Sequence, residues 1–358
     1  MSTDQAPVAM RGQATGKAVP RKEDDRLLKA QGEFGDDTPM ARLGHVMFVR
    51  SPHAHARIER IDTSAAELVE GYLGCLTPED VADLTDPFVE LQGPPGDAEV
   101  DRCLASGGVV RFVGEPVVAV AGDSREAARD AAAAVLVEYS ALPHVVDARE
   151  AVAQGAPLVH EQVGGNVAFE SRYDWGDVDF ALANADHVIE VDELHFHRFS
   201  STPLECGVVS AEYDAGTDTF TLTGGFATPQ LATFNLAHAL RHPANKLRVR
   251  SKDVGGSFGV KLNLHVPATA TALLARRLGR PMRWTETRTE HHHMGGHGNE
   301  RWFRDVRMAV QNDGTVLGIS CEALDDVGAY TRYEPLGGAI WTQVANACYQ
   351  LRHLRVHY

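Results

Sequence analysis

No two of the five cysteines form a CxxC unit. Cys75, Cys103, Cys206, Cys321 and Cys348 are scattered and odd in number. That spacing argues against a disulfide scaffold, a zinc ribbon and an iron–sulfur motif, and it fits reduced thiols in a cytoplasmic protein. Long apolar runs are also missing, so no stretch is suited to spanning a bilayer. The opening residues, MSTDQAPVAMRGQATGKAVPRKEDD, lack the apolar segment of a signal peptide. Excess positive charge is absent too. The formal net charge is −15, and a chain that must bind phosphate backbones needs a basic surface, so nucleic acid is not its main partner. Neither GxxxxGK[ST] nor GxGxxG occurs, and there is no internal repeat or low-complexity tract.

What remains is an ordinary globular composition, with 44% hydrophobic and 23% charged residues. A chain of 358 residues is long enough for two or three domains with sizeable cores. Residues 1–22 read as a flexible arm. From Gly44, HVMFVRS predicts a strand, and PHAHARIERIDT continues with partial alternation. SAAELVEGY predicts a short helix with Ser64 as N-cap. VVRFVGEPVVAVAGDS contains two strand-like runs joined by Gly114-Glu115-Pro116. SREAARDAAAAVLVEY predicts a helix capped by Ser124 and ended before Pro143. Residues 148–165, rich in Gly and Pro, read as a linker.

A second block begins near Asn166. HVIEVDELHFHRF alternates as a strand does, and VVSAEYD with DTFTLTGG predicts a hairpin around Ala215-Gly216-Thr217. QLATFNLAHALR predicts a helix closed by Pro243, KLRVRSKDV a strand, and VPATATALLARRLG a helix ending at Gly279. RPMRWTETR is strand-like. RWFRDVRMAVQNDGTVLGISCEALDD predicts a long hairpin turning at Asn312-Asp313-Gly314. The final stretch, CYQLRHLRVHY, is strand-like, as if something continues elsewhere.

The most informative piece is SKDVGGSFGVKLN, an apolar strand running into Gly255-Gly256-Ser257-Phe258-Gly259. Glycines let backbone approach a ligand and expose several N–H groups at once, which suits a phosphate or a metal-oxo group. A plain connecting turn is the alternative.

GGSFGVK resembles the GGxFGxK loop of the xanthine dehydrogenase, aldehyde oxidase and carbon monoxide dehydrogenase family. RKEDDRLLKAQGEFGDD, HVMFVRSPHAHARIERIDTSAA, VRFVGEPVVAVAGDSREAARDAAAAVLVEYSALPHVVD, TPLEC, RPMRWTETRTEH and NDGTVLGI resemble further family segments in the family's order, from about residue 20 onward. The resemblance implies an α+β protein: an a/b hammerhead domain over residues 23–147, then the linker, then the first molybdenum-cofactor-binding domain over 166–358. By the same resemblance, Phe258 stands over the molybdenum, while Gly255, Gly256, Ser257 and Gly259 bring backbone to the cofactor. The cofactor implied is molybdenum with molybdopterin cytosine dinucleotide. The reaction implied is hydroxylation of a carbon with water as oxygen source, with electrons leaving to a [2Fe-2S] small subunit and an FAD medium subunit.

Three departures shape that expectation. The family's usual Gln upstream of the loop falls on Ala227, and Gln230, three residues on, is the substitute. The Glu that purine-oxidising members carry after the loop's Lys is Leu262, and their substrate Arg falls near Ile340. Both groups that grip a purine are thus replaced, and an aldehyde, an aromatic ring or a less polar N-heterocycle is expected instead. Finally, the family's catalytic subunits are much longer than this chain. The general-base Glu is therefore expected on a partner chain, a second large-subunit fragment, and no carboxylate here is assigned as catalytic. Alternatives are a non-catalytic scaffold or cofactor-handling paralogue, and a free-standing phosphate- or nucleotide-binding protein.

Other candidates have blander readings. His291-His292-His293 and His297 have zinc-like spacing, but Gly295, Gly296 and Gly298 oppose a shared helix face. His195 and His197 point to one strand face and are read as satisfied by hydrogen bonds. Glu205 is read as a buried partner of an Arg, and Arg288 with Glu290 as an ion pair.

Overall fold

A computed structural model of the protein describes residues 16, 18–89, 100–293, 298–331, 346 and 349–358. Three sheets organise it. The largest has seven strands. Its most buried strand toward one end is β5 (Pro116–Gly122), an unbroken apolar stretch buried from Val117 onward, as expected for a strand covered on both faces. It pairs with β1 (Gly44–Arg50) on one side and β3 (Tyr72–Leu76) on the other. The other members are the hairpin β9 (Val208–Asp214) and β10 (Thr219–Gly224), with β11 (Leu247–Ser251) and β12 (Met282–Thr285). The strand order is β11-β10-β9-β12-β1-β5-β3. β12 lies parallel to β1, with Gly44 opposite Met282 and Val46 opposite Trp284. One sheet thus takes strands from both sides of the 148–165 segment.

A three-stranded sheet pairs β2 (Ala56–Asp62) with β4 (Val109–Val110) and β6 (Leu136–Ala141). A five-stranded sheet runs β7-β15-β14-β13-β8, made of β7 (Arg172–Trp175), β8 (His187–Phe196), β13 (Glu300–Val310), β14 (Val316–Asp326) and β15 (His353–His357). The predicted 312–314 turn joins β13 to β14.

Helices α1 (Asp24–Leu28), α2 (Pro78–Ala82), α4 (Ala148–Ala151), α5 (Val178–Ala183) and α8 (Arg288–His293) are short. α3 (Arg125–Ala134) is capped by Ser124, which accepts from the Ala127 N–H at 3.2 Å. It lays Ala127, Ala128, Ala131 and Ala132 inward. α6 (Pro229–Ala239) bridges β10 to β11. α7 (His265–Leu278) is buried from His265 to Ala275, and its Leu273 and Leu274 join Trp284, Phe220 and Leu236 in the main core. Each such leucine stabilises the fold by roughly 1.5–3 kcal/mol. Among the described residues, no helix is long and apolar enough to cross a membrane.

The structure corrects several expectations. The Ala-rich helix does not continue through VLVEY. Val135 is already extended, and residues 136–141 form β6 against β2, because alternating β-branched residues suit a half-buried strand. SAAELVEGY gives only one 3-10 turn, Ala66–Leu68. Ser64 does not cap it; its hydroxyl donates to Asp62 at 2.6 Å. The two runs around Gly114-Glu115-Pro116 go to different sheets. The 148–165 segment carries α4 and a 3-10 turn at Glu161–Val163, and β7 and α5 arise where no element was foreseen.

Glu115 itself is 3% exposed. It accepts from Tyr330 Oη and from the Arg111 N–H, each at 2.5 Å. Burial pushes its carboxyl up to about 7. The folded chain holds this proton more tightly than the unfolded one, so the contribution is present at low pH and lost as pH rises through the window from about 4.3 to 7. Between pH 4.5 and 8 this group should remove on the order of 3 kcal/mol of stability. Glu115→Gln, neutral throughout, is expected to flatten that part of the profile in denaturant titrations. A gap between wild type and variant that is constant with pH overturns this.

Candidate functional site

Parallel strands β10 and β11 end side by side, and the chain after each makes a loop before turning into a helix. Those two loops form the site. The register brings Gly224 opposite Ser251, the last residues of the two strands. Lys252 N–H donates to the Gly224 carbonyl at 3.2 Å, and Ser251 Oγ donates to the Phe226 carbonyl at 2.9 Å. Residues 225–228 and 252–264 are thereby held together outside the carboxyl ends of the strands, the usual ligand position in sheets of this kind.

A partly buried carboxylate fixes the glycine loop. Glu205 Oε2 accepts from Gly255 N–H at 2.8 Å and from Lys261 Nζ at 2.6 Å. Its Oε1 accepts from Gly35 N–H at 3.1 Å, and its own N–H donates to the Gly255 carbonyl at 3.2 Å. The Lys261 side chain is 1% exposed. Gly255 is required here by space: a Cβ on it would stand 2.5 Å from Glu205 Cβ. Its N–H is taken by Glu205, so it shapes the loop and leaves ligand contact to the residues that follow.

Those residues are presented differently. Gly256, Phe258 and Gly259 have φ of 99°, 50° and 95°. Phe258 is a strained non-glycine in the left-handed region, and its ring is 73% exposed. A Cβ on Gly259 would meet nothing within 4 Å, so that side of the loop is open. Among the described residues, the N–H groups of Gly256, Ser257, Phe258 and Gly259 find no protein acceptor. Consecutive free N–H groups on a backbone of this shape suit an anionic oxygen.

A second carboxylate organises the same edge. Glu286, just beyond β12, accepts from Gly207 N–H at 2.6 Å and meets His291 Nδ1 at 3.1 Å. Arg50, at the end of β1, pairs with Glu290 at 3.0 Å. From the N-terminal side, Arg26 pairs with Asp253 at 2.5 Å, and Glu33 N–H donates to the same carboxylate at 2.9 Å. The guanidinium holds the Asp253 carboxyl far below the usual range.

The sequence-based candidates fare unequally. Gly255, Gly256, Ser257, Phe258 and Gly259 form one continuous loop, while exposed Ala227 lies on the neighbouring loop and exposed Gln230 in the first turn of α6. Leu262 sits in the 3-10 turn that closes the glycine loop. Glu205 is paired, as expected, but with Lys261 rather than an Arg. Arg288 and Glu290 do not pair. Two positions apart on a helix, they face different ways, and Arg288 donates instead to the Pro203 and Leu204 carbonyls. His291 bridges Glu286 and the Ser201 carbonyl. His297 and Ile340 lie outside the described residues. Lys261 was visible only as a letter of the loop motif. Its role as the buried cation that anchors the loop depends on Glu205, distant in sequence, and no local signal joins the two.

Comparison with known proteins identifies the family. The model of the molybdopterin cofactor-binding domain matches residues 159–358, and that of the aldehyde oxidase and xanthine dehydrogenase a/b hammerhead domain matches residues 29–143. The chain is 35% identical over 315 residues to the nicotine 6-hydroxylase large subunit of Paenarthrobacter nicotinovorans, covering 88% of this chain and 38% of that protein. It is 30% identical to the carbon monoxide dehydrogenase large chain of Afipia carboxidovorans, covering 89% and 40%. Quinoline 2-oxidoreductase from Pseudomonas putida 86 superposes with a TM-score of 0.83 at 30% identity, covering 96% of this chain and 44% of the other. The chain spans less than half the length of these relatives. It belongs to the xanthine dehydrogenase and aldehyde oxidase family, with the hammerhead and molybdopterin cofactor-binding domains following one another along the sequence.

Proposed function

We propose that this chain provides one wall of the molybdenum site in a multi-subunit molybdenum hydroxylase. The observation that carries this is the loop Gly256–Gly259, with four N–H groups that find no acceptor among the described residues and an exposed Phe258, on a backbone pinned by Lys261 and Glu205. These residues fit the group. The N–H donors suit oxo and pterin oxygens, Gly259 leaves room for close approach, and Gln230 with the start of α6 supplies polar groups on the adjacent loop. When bound, the cofactor, taken as molybdopterin cytosine dinucleotide, supplies the two-electron redox step that replaces a substrate C–H by C–OH with water as oxygen source. This chain's share is to orient the cofactor and, through Phe258, to limit the approach of substrate. Since the ring is bare here, other residues must complete the dry pocket, and the general-base Glu belongs to a segment outside this chain. Partners carrying that segment, a [2Fe-2S] cluster and FAD complete the electron path.

Leu262 after the loop's lysine removes a charged partner for a purine. An N-heterocycle or aromatic ring held by apolar contact is the substrate class favoured, in keeping with relatives named for nicotine and quinoline. A scaffold or cofactor-handling role is the second reading, favoured by Ala227 standing where the family's glutamine belongs.

Purification from the native host should yield near-stoichiometric molybdenum together with further polypeptides. A metal-free isolated chain would reject the enzymatic reading, and stable association with molybdenum but no hydroxylase activity would favour the scaffold. In the active complex, Phe258→Ala is expected to lower kcat/KM at least about tenfold, roughly 1.4 kcal/mol in transition-state stabilisation, with Tm and molybdenum content unchanged. Lys261→Met leaves the partly buried Glu205 without its cation and should cost about 2–3 kcal/mol of stability, with molybdenum lost in parallel. Adding Glu205→Gln should restore part of that stability in denaturant titrations.

A further inference from the structure

The five-stranded sheet carries a group of side chains that the cofactor site does not use. His195 and His197 alternate about Phe196 and so share one strand face. The β8–β13 register sets Trp302 opposite His195 and Arg301 opposite Phe196, which brings Glu300 beside His197 on the same face. The ligand atoms of His195, His197 and Glu300 all lie within 4.8 Å of one another. His195 Nε2 is 2.6 Å and His197 Nδ1 3.8 Å from Glu300 Oε1, and the two imidazole centroids are 4.0 Å apart. His195 therefore has the hydrogen bond expected of it, yet that bond does not account for His197, which is 82% exposed and turned toward the same oxygen.

We propose that His195, His197 and Glu300 bind one Zn2+ ion. Two neutral imidazoles and a carboxylate are a standard three-ligand zinc set, with water free to fill the remaining position, and imidazole selects zinc-like ions over magnesium or calcium. Around a tetrahedral ion, with bonds near 2.0–2.1 Å, ligand atoms stand about 3.3 Å apart. The present 2.6 Å and 3.8 Å separations bracket that value, so side-chain rotation alone admits the ion. The platform is firm: the His195 ring stacks on Trp302 at 5.0 Å and 9°, and Trp302 is buried. The nearby cation Arg149, 5.1 Å above the Trp302 ring, is paired with Asp147 at 2.7 Å. The ion would tie the end of β8 to the start of β13, just ahead of the segment that delivers Glu205. The site is independent of what the glycine loop holds.

The test is titration of the chelator-stripped native complex, or of the full chain, with Zn2+ against a chromogenic chelator. One equivalent per chain is expected. His197→Ala and Glu300→Gln should each weaken binding at least about tenfold, with molybdenum content unchanged. His292→Ala with His293→Ala should bind as the wild type does, separating this site from the histidine run near α8. No stoichiometric binding to the wild type, or binding unchanged in His197→Ala and Glu300→Gln, overturns the proposal.

Discussion

The candidate site rests on one partly buried ion pair, between Lys261 and Glu205. Glu205 makes four contacts with three residues: it accepts from the N–H groups of Gly35 and Gly255 and from the Lys261 ammonium, and its own N–H donates to the Gly255 carbonyl. Burying both charges is costly, and such a pair adds little net stability over an apolar substitute. What it provides is a single allowed geometry, because either charge left alone would be strongly unfavourable. The strain at Phe258, and a backbone whose N–H groups find no acceptor among the described residues, persist only because both ends of the loop are held this way.

The same logic repeats along the sheet edge. Glu286 binds Gly207 N–H and His291, Glu290 binds Arg50, and Asp253 binds Arg26 and Glu33. Further back, Arg283 reaches Ser210 Oγ at 2.7 Å and the Asp36 carbonyl at 2.8 Å, while Arg125 also pairs with Asp36. These contacts join the N-terminal segment and the hammerhead strands to the strands that carry the two candidate-site loops. The parallel pairing of β1 with β12 makes the join continuous in the backbone as well. Movement between the two parts would have to break a shared sheet, so the glycine loop stands on a rigid base.

Much of the fold was legible locally. Strands with clean alternation or an unbroken apolar core, such as β1, β5, β9 and β10, stand where their patterns put them. The helices α3, α6 and α7 stand likewise, with Ser124 and Gly279 marking ends. The failures share a cause. VLVEY follows an Ala-rich helix and inherits its apparent propensity, yet pairing with β2 decides its conformation. SAAELVEGY is too short for propensity to outweigh the demands of β3. The pairings of Glu205, Arg288 and Glu290 were missed or misassigned because each partner comes from a distant segment or from a different face.

The sequence by itself determined the chemistry on offer: a GGSFGVK loop after an apolar strand, ordered motifs that identify the family, and Leu262 where a charged group would grip a purine. Those follow from residue type and order. The tertiary structure decided which groups are engaged and which are left free. It assigned Lys261 to Glu205 and left Phe258 bare, it set Gln230 in the first turn of α6, and it brought His195 and His197 to Glu300. Each depends on bringing together residues far apart in the chain, which only the closing of the sheets accomplishes.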